Sequence, residues 1–388
     1  MIIPSFSSRV PASLASNRLA LAVAAARAAG RPLIDLTVSN PTTVGFDYDA
    51  SALAGLADAR NLLYAPEAAG LETARAAVAA ELARRGTAVP IENVVLTAST
   101  SEAYGYLFKM FCDPGDEVLV PQPSYPLFEW LTRLEGVEAR PYRLEYHARW
   151  TVDAGSIAAA LTPRSRAILA VNPNNPTGSY LTRGDVSRIQ EVAPDLPLIG
   201  DEVFWDFPLP GAPSDRMSVL GSGHPLVFSL GGLSKSAALP QLKLGWIAIA
   251  GEHALVASAR EKLELIADTY LSVSTPVQTS AAMLIRAGGA LRAQIADRTS
   301  RNLGRLRDAI ASNPALKLLK SEGGWSAVLR VPATRAEEDL VVALAEEDGV
   351  LVHPGYFFDF AHEAFLIVSL IAPPGEFDAG IARLVRRF

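Results

Sequence analysis

Several polar side chains follow directly after short apolar runs that are typical of buried strands. A lysine, a carboxylate, an amide and a pair of hydroxyls each stand at the end of one such run. Ligands of open parallel sheets bind at the carboxyl ends of the strands, so we expect these side chains to converge on one crevice. They are Lys235, Asp201, Asn175, Thr100 and Ser101.

The chemistry of this set indicates a pyridine cofactor. A loop lysine forms a Schiff base with a carbonyl, and a carboxylate holds a pyridinium nitrogen protonated. An amide donates to a phenolic oxygen, and hydroxyls with backbone N–H groups at a helix start bind phosphate. Tyr125 could stack on the ring. Together these groups match the needs of pyridoxal 5′-phosphate (PLP), whereas the five histidines and one cysteine show no metal-ligand spacing.

The order of five motifs resembles the class I/II aminotransferases of fold type I over nearly the whole chain. The strongest motif is the N-P-x-N-P-T-G loop at 172–178. A tyrosine, a glycine and an arginine within 64–75 resemble a further family segment. The other matches are Asp201-Glu202-Val203, Ser234-Lys235 and the Pro240 to Trp246 stretch.

The resemblance implies a role for each matching residue. Lys235 is the catalytic Schiff-base lysine that moves the substrate proton, Asp201 pairs with the ring nitrogen, and Asn175 bonds the phenolic oxygen. Tyr125 stacks on the ring, and Tyr64 reaches the phosphate of a neighbouring subunit, which implies a homodimer. The remaining phosphate contacts are Thr100, Ser101, Ser234 and Lys243.

The sequence departs from the family pattern where the substrate binds. Ile367 stands where the family has an arginine that grips the substrate α-carboxylate through a two-pronged salt bridge. Phe204 replaces a tyrosine that donates to the phenolic oxygen. We expect a remodelled substrate site, in which either the donor lacks the α-carboxylate or another cation holds it, with Arg18 and Arg31 as candidates for that cation. His353 sits beside Pro354-Gly355, in a stretch that borders the substrate in the family, but we favour its interpretation as a surface or loop histidine.

These features predict an aminotransferase that uses an amino donor and a keto acceptor. The donor is expected to be apolar or to lack a free α-carboxylate. A lyase, decarboxylase or racemase on the same scaffold is an alternative, because fold does not fix reaction type. A non-catalytic PLP-binding protein is another, although retention of Lys235, Asp201 and Asn175 argues against it.

Composition excludes several other classes of protein. The 388 residues carry 35 Lys+Arg and 41 Asp+Glu, a net charge of −6 that argues against nucleic-acid and anionic-membrane binding. Cys112 is the single cysteine, so an internal disulfide is excluded. No apolar run reaches the length of about 20 residues that spans a membrane. We therefore expect a soluble, cytoplasmic protein.

The fold class expected from this pattern is α/β. Helical segments alternate with apolar strands, which predicts a mostly parallel central sheet flanked by helices, and the resemblance identifies this as the PLP-dependent transferase fold. The resemblance implies a large PLP-binding domain at 44–275 and a smaller α+β domain built from 1–43 and 276–388. Within the latter, Val277 to Ile310 is predicted helical with a break at Gly288-Gly289.

Overall fold

A computed structural model describes residues 6–388 and contains three sheets. The largest has eight strands in the order β2-β9-β8-β7-β6-β3-β4-β5. Its four central pairings, from β8 to β4, are parallel, while β9 runs antiparallel to both neighbours and β5 to β4. The strands are β2 (Val94–Thr97), β3 (Glu117–Gln122), β4 (Glu138–Tyr146), β5 (Trp150–Val152), β6 (Ser165–Val171), β7 (Leu198–Asp201), β8 (Leu226–Gly232) and β9 (Gly245–Gly251).

A four-stranded antiparallel sheet follows in the C-terminal part of the chain. Its order is β10-β11-β14-β13, with β10 (Lys317–Leu318), β11 (Ser326–Arg330), β13 (His353–Pro354) and β14 (Phe365–Ser369). A separate parallel pair joins β1 (Ile34–Asp35) to β12 (Val350–Leu351), which ties the N-terminal segment to this region. The expected fold class, a mostly parallel α/β sheet with a smaller α+β unit, is confirmed.

Helices cover both faces of the large sheet. Within β3, Val118 and Val120 pack in the apolar cluster that contains α3 and α8, while Leu119 packs on the other face with α5 and α6. The α-helices are α1 (Arg18–Ala28), α2 (Glu72–Arg84), α3 (Thr100–Phe111), α4 (Phe128–Glu135), α5 (Ala154–Ala160), α6 (Arg183–Val192), α7 (Leu233–Ser236), α8 (His253–Tyr270), α9 (Thr275–Thr279), α10 (Ala281–Ile310), α11 (Glu337–Ala343) and α12 (Pro374–Arg386).

The prediction of a helix break at Gly288-Gly289 is wrong, because α10 runs without interruption through both glycines. Glycine costs a helix about 1 kcal/mol relative to alanine, so its presence here needs a packing reason. A Cβ atom on Gly288 would stand 2.6 Å from the Cα atom of Ala237. Gly288 therefore allows α10 to pack against the segment that follows Lys235.

Within residues 6–388, none of the helices combines the length and the apolar character needed to cross a bilayer. Helix α1, which carries the most signal-like stretch of the sequence, instead buries one stripe against the C-terminal region. Leu19, Ala22, Val23 and Ala26 form that stripe. The stripe follows a helical period, as in an ordinary surface helix.

Candidate active site

The carboxyl ends of β6, β7 and β8 meet the small sheet around a cavity of about 200 Å³. Segments that are far apart in the chain contribute to its wall. The lining residues are Thr37, Val38, Ser39, Thr100, Tyr125, Val171, Asn175, Asp201, Val203, Phe204, Ser234, Lys235, Trp325, Ser326, His353, Phe358, Ile367 and Ser369. Six of the nine residues assigned to the cofactor site from the sequence thus share one cavity.

Lys235 lies in the short helix α7, immediately after β8. Its Nζ atom is 4.9 Å from the ring centre of Trp325 and 5.5 Å from that of Phe204. Burial lowers the pKa of Lys235 from 10.5 to about 8, and the charge of Asp201 partly opposes this shift. A substantial fraction of the amine is therefore neutral near pH 7 to 8, as a nucleophile or proton acceptor requires.

Asp201 ends β7 and is buried against α3. Its Oδ2 atom accepts a hydrogen bond of 3.0 Å from the Tyr104 hydroxyl, and its Oδ1 atom accepts one of 3.2 Å from the Val203 N–H. Burial raises the pKa of Asp201 to about 6, although both hydrogen bonds and Lys235 favour the carboxylate. Sequence reasoning missed Tyr104. Its spacing of four residues from Thr100, one helical turn along α3, was the available signal.

The loop at 172–178 is fixed by two buried asparagines. The Asn172 amide donates to Glu202 and Met217, and the Asn174 amide donates to the Pro123 carbonyl. These bonds hold the loop on the N-terminal side of Asn175, which lines the cavity. The predicted rigid loop is thus observed, with each flanking amide satisfied inside the protein.

Glu202, next to Asp201, links the elements that carry the site residues through hydrogen bonds. Its carboxylate accepts hydrogen bonds from Asn172, Ser218, Ser229 and the Val219 N–H, at 2.6 to 3.0 Å. Burial raises the pKa of Glu202, while the four donors favour its ionised form. The network joins β7, β8 and the 172–178 loop, and so fixes Asp201 relative to Asn175.

Three of the predicted cofactor residues lie off the cavity wall. Ser101 is exposed in the first turn of α3, and Tyr64 is 76% exposed. Lys243 is also exposed and stands two residues before β9, whose Gly245 pairs with Thr97. The pairing places Lys243 at the end of the sheet where α3 begins.

The wall opposite Lys235 comes from the small sheet. Ile367 is 2% exposed and lines the cavity, at the position where the sequence predicts the loss of a cation. Arg18 pairs with Glu338 and Asp339, and Arg31 donates to the Glu346 carbonyl. Neither of these arginines lines the cavity, so the expectation that one of them replaces the missing cation is not supported.

The interpretation of His353 as a surface or loop histidine is wrong. His353 forms β13, is only partly exposed and lines the cavity. Its imidazole centre is 5.8 Å from the ring of Phe357 and 5.7 Å from that of Phe358. The pairing of β13 with β14, the next strand in the chain, places it there, and a single sequence does not reveal that register.

Comparison with known proteins identifies the same pattern. The family model described as "Aminotransferase class I and II" matches residues 31–384. The glutamate-pyruvate aminotransferase AlaA of Escherichia coli (strain K12) is 27% identical over 362 residues, covering 88% of this chain and 87% of that protein. The tyrosine aminotransferase of Homo sapiens is 23% identical over 354 residues, covering 88% and 78%.

Solved structures share the fold. A crystal structure of an aminotransferase from Escherichia coli superposes with a TM-score of 0.85 at 23% identity, covering 99% of this chain and 98% of that chain. A double mutant of Thermus thermophilus aspartate aminotransferase gives a TM-score of 0.85 at 21% identity, with both chains covered in full.

Proposed function

The chain belongs to the class I and II aminotransferase family of PLP-dependent enzymes, and on that premise we propose that its amino donor is not held through a free α-carboxylate. The observation that carries this proposal is Ile367. This aliphatic side chain lines the cavity at the position where the family resemblance places an arginine. Burying a carboxylate beside isoleucine costs desolvation free energy, and no ion pair offsets this cost. A donor without that charge avoids this cost.

One wall of the cavity is formed by Thr100, Tyr125, Asn175, Asp201 and Lys235, which stand at or just after the ends of strands of the large sheet. We call it the large-domain wall, and its groups fit PLP. A lysine, a carboxylate, an amide, a tyrosine ring and the start of a 12-residue helix surround one cavity. PLP, when bound, supplies an electron-withdrawing ring that stabilises negative charge on the carbon next to the amino group. In this proposal the protein's contribution is to hold that ring and to move one proton.

Each residue of the wall has a separate task in the proposed reaction. Asp201 keeps a proton on the ring nitrogen, and Asn175 donates to the phenolic oxygen. The Nζ atom of Lys235 would accept the proton from the substrate Cα atom and pass it to the bound PLP. A pKa of about 8 suits a group that both accepts and donates a proton near neutral pH. The aromatic rings of Trp325 and Phe204 exclude water around that nitrogen.

The phosphate contacts are proposed at the start of α3. Thr100 and Ser234 line the cavity, while Ser101 and Lys243 stand nearby at the same end of the sheet. A helix N-terminus with hydroxyls and a lysine suits a phosphate, because its N–H groups and dipole favour negative charge. Here Lys243 acts as a point charge rather than a fork.

The remaining walls favour an apolar or aromatic donor. Phe204, Trp325 and Phe358 line the cavity together with Ile367. The rings of Phe204 and Trp325 meet edge to face, with centres 5.2 Å apart. Against such walls, binding gains free energy from the burial of apolar substrate surface rather than from charge.

A spectral screen of the holoenzyme tests this function. An accepted amino donor should bleach the visible band of bound PLP, and a keto acid should restore it. Arylalkyl amines or amino alcohols should act more readily than the parent amino acid. Release of CO₂ or ammonia without bleaching would indicate a lyase or decarboxylase instead. Lys235→Ala should abolish both the visible band and the transfer while leaving the circular dichroism spectrum intact.

We also infer a homodimer in which Tyr64 contacts the phosphate held by the other subunit. The supporting observation is a run of three exposed apolar side chains, Leu62, Leu63 and Tyr64, of which Leu62 is 91% exposed. Such patches are unusual on monomers. Sedimentation should give twice the 41.2 kDa chain mass, and Leu63→Asp should shift the protein toward monomers with weaker PLP binding. A fully active monomer would contradict the inference.

The proposed domains are 44–275 and the pair of segments 1–43 and 276–388. All eight strands of the large sheet fall inside the first range. Leu19, Val23 and Leu36 pack in one core with residues 303–384 of the C-terminal part, which supports a small domain built from both ends. Residues 1–5 of that unit lie outside the described residues. Limited proteolysis should leave a fragment close to 44–275.

A cytoplasmic location is also proposed. The chain has one cysteine, Cys112, and a chain without a disulfide framework is usual in a reducing compartment. Fractionation of cells that express the tagged protein tests this location. Recovery with the cytoplasmic fraction is the expected result.

A further inference from the structure

The cavity has two walls that differ in their titratable groups. Four of the lining residues have titratable side chains, namely Lys235, Asp201, Tyr125 and His353. The first three belong to the large domain and have proposed roles toward PLP. His353 belongs to the small sheet, so among the described residues it is the one ionisable side chain on the proposed substrate wall.

The register of the small sheet places His353 beside Ile367. Strand β13 pairs antiparallel with β14, and His353 stands directly opposite Ile367. Directly opposite residues of an antiparallel pair project to the same face, with Cβ atoms about 5 Å apart. The imidazole therefore occupies the neighbourhood of the missing cation, and the rings of Phe357 and Phe358 contact it from the side.

The environment of His353 favours a neutral imidazole. Burial lowers the pKa of His353 below its usual value of 6.5, while the charge of Asp35 and the backbone of Thr37 oppose the shift. A neutral imidazole donates or accepts a hydrogen bond but does not supply the positive charge that a carboxylate needs. No lysine or arginine other than Lys235 is among the residues that line the cavity in the described chain.

We propose that His353 is the specificity-determining residue of the substrate wall and hydrogen-bonds a neutral polar substituent, a hydroxymethyl or a carboxamide group, on the carbon that carries the donor amino group. This inference rests on the proposed function and gives it a substrate class. The donors are amino alcohols or amino amides with an apolar side chain. A hydrocarbon substituent would offer the imidazole no polar group to bond, and a carboxylate would lack its cation.

Four donors that share a benzyl side chain test the proposal with the holoenzyme. They are phenylalaninol, phenylalaninamide, phenylalanine and phenethylamine. Their KM values are read from the bleaching of the visible PLP band. The wild type should prefer the alcohol or the amide over phenethylamine by about tenfold, the contribution of one buried hydrogen bond. Which of the two is preferred identifies the substituent.

Substitutions at position 353 locate that preference. His353→Leu should raise the KM of the preferred donor about tenfold and leave that of phenethylamine within about twofold. His353→Gln keeps a hydrogen-bonding group and should restore most of the preference. His147→Leu, at an exposed histidine away from the cavity, is the control and should change neither value. An equal rise for all four donors, or a preference of the wild type for phenylalanine, would overturn the proposal.

A binding measurement separates this inference from the proposed function. The imidazole signals of His353 in the NMR spectrum of the holoenzyme should shift on addition of phenylalaninol and stay in place with phenethylamine. If no donor bleaches the PLP band, transamination of these donors fails, yet the shift still supports the contact with His353. An imidazole signal that responds to none of the donors overturns the contact, whatever the enzyme turns over.

Discussion

The two walls of the active-site cavity are built in different ways. On the large-domain wall, Asp201 ends a strand and Asn175 follows one, each within a contiguous motif. Hydrogen bonds hold the Asp201 carboxylate, and the Asn174 amide holds the loop next to Asn175. On the small-sheet wall, His353 and Ile367 come from two strands and meet only through their register. The residues proposed to hold the cofactor therefore lie in motifs that are visible in the sequence, whereas the residues proposed to contact the substrate meet only through strand pairing.

The largest effect that tests this contrast is expected from the large-domain wall. Asp201→Asn keeps the acceptor oxygen for Tyr104 but removes the charge that holds a ring proton. Turnover should fall by about 100-fold or more, as when one preorganised electrostatic group is removed. A loss of less than about threefold would mean that Asp201 does not carry the charge that this wall is built around.

The same substitution has an opposite effect on stability in the cofactor-free protein. Burial raises the pKa of Asp201 from 3.8 to about 6, so the native state binds the proton more tightly than the unfolded chain. Stability therefore falls as pH rises from 4 to 6, and the cost is complete above 6. Asp201→Asn removes this cost, which is about 3 kcal/mol. Urea unfolding should show the gain at pH 7 and little at pH 4.

The small-sheet wall is tested by Ile367→Arg. A guanidinium at this position would offer the substrate carboxylate a two-pronged pair, worth about 2 kcal/mol or roughly thirtyfold in preference. The ratio of kcat/KM for phenylalanine to that for phenylalaninol should rise by this factor. Ile367→Met, an apolar change of similar volume, is the matched control and should leave the ratio unchanged.

The outcome at position 367 sharpens the comparison in either direction. A rise in the ratio of kcat/KM values means that the small-sheet wall sets specificity independently, because one residue then changes it without disturbing the large-domain wall. An unchanged ratio with an intact PLP band would place the substrate's polar group away from β14. The inference about His353 would then lose its geometric basis, since His353 and Ile367 share one face.

The sequence predicts that Lys235, Asp201 and Asn175 converge on one cavity, because the determinants of their placement are local. The turn-forming residues of 172–178 and the polar residues at strand ends predict their own placement. The helix break at Gly288 fails for the opposite reason. A contact between Gly288 and Ala237, 51 positions apart in the chain, overrides the weak helix propensity of glycine.

Non-local pairing also explains the other differences. The position of His353 depends on which strand lies beside β14, and Arg18 is withdrawn from the cavity by carboxylates on α11. Tyr104 is an intermediate case. Its role depends on the contact between α3 and β7, but its position one turn after Thr100 is readable from the helical period.

The smallest predicted effect concerns how firmly the large-domain wall is held. Tyr104→Phe removes the hydroxyl that donates to Asp201 Oδ2 at 3.0 Å and leaves the ring in place. That hydrogen bond favours the carboxylate, so its loss should raise the pKa of Asp201 further. In the cofactor-free protein, the pH range over which stability falls should move upward, and turnover of the holoenzyme should drop by about fivefold.

Tyr142→Phe separates this positioning role from a general loss of stability. The Tyr142 hydroxyl donates at 2.8 Å to the Leu169 carbonyl, so the control removes a buried hydrogen bond of similar length that does not involve Asp201. It should lower the free energy of unfolding by about 1 kcal/mol without moving the acid range or the turnover. If both variants behave alike, Tyr104 only packs beneath the site, and the large-domain wall depends on its motif residues alone.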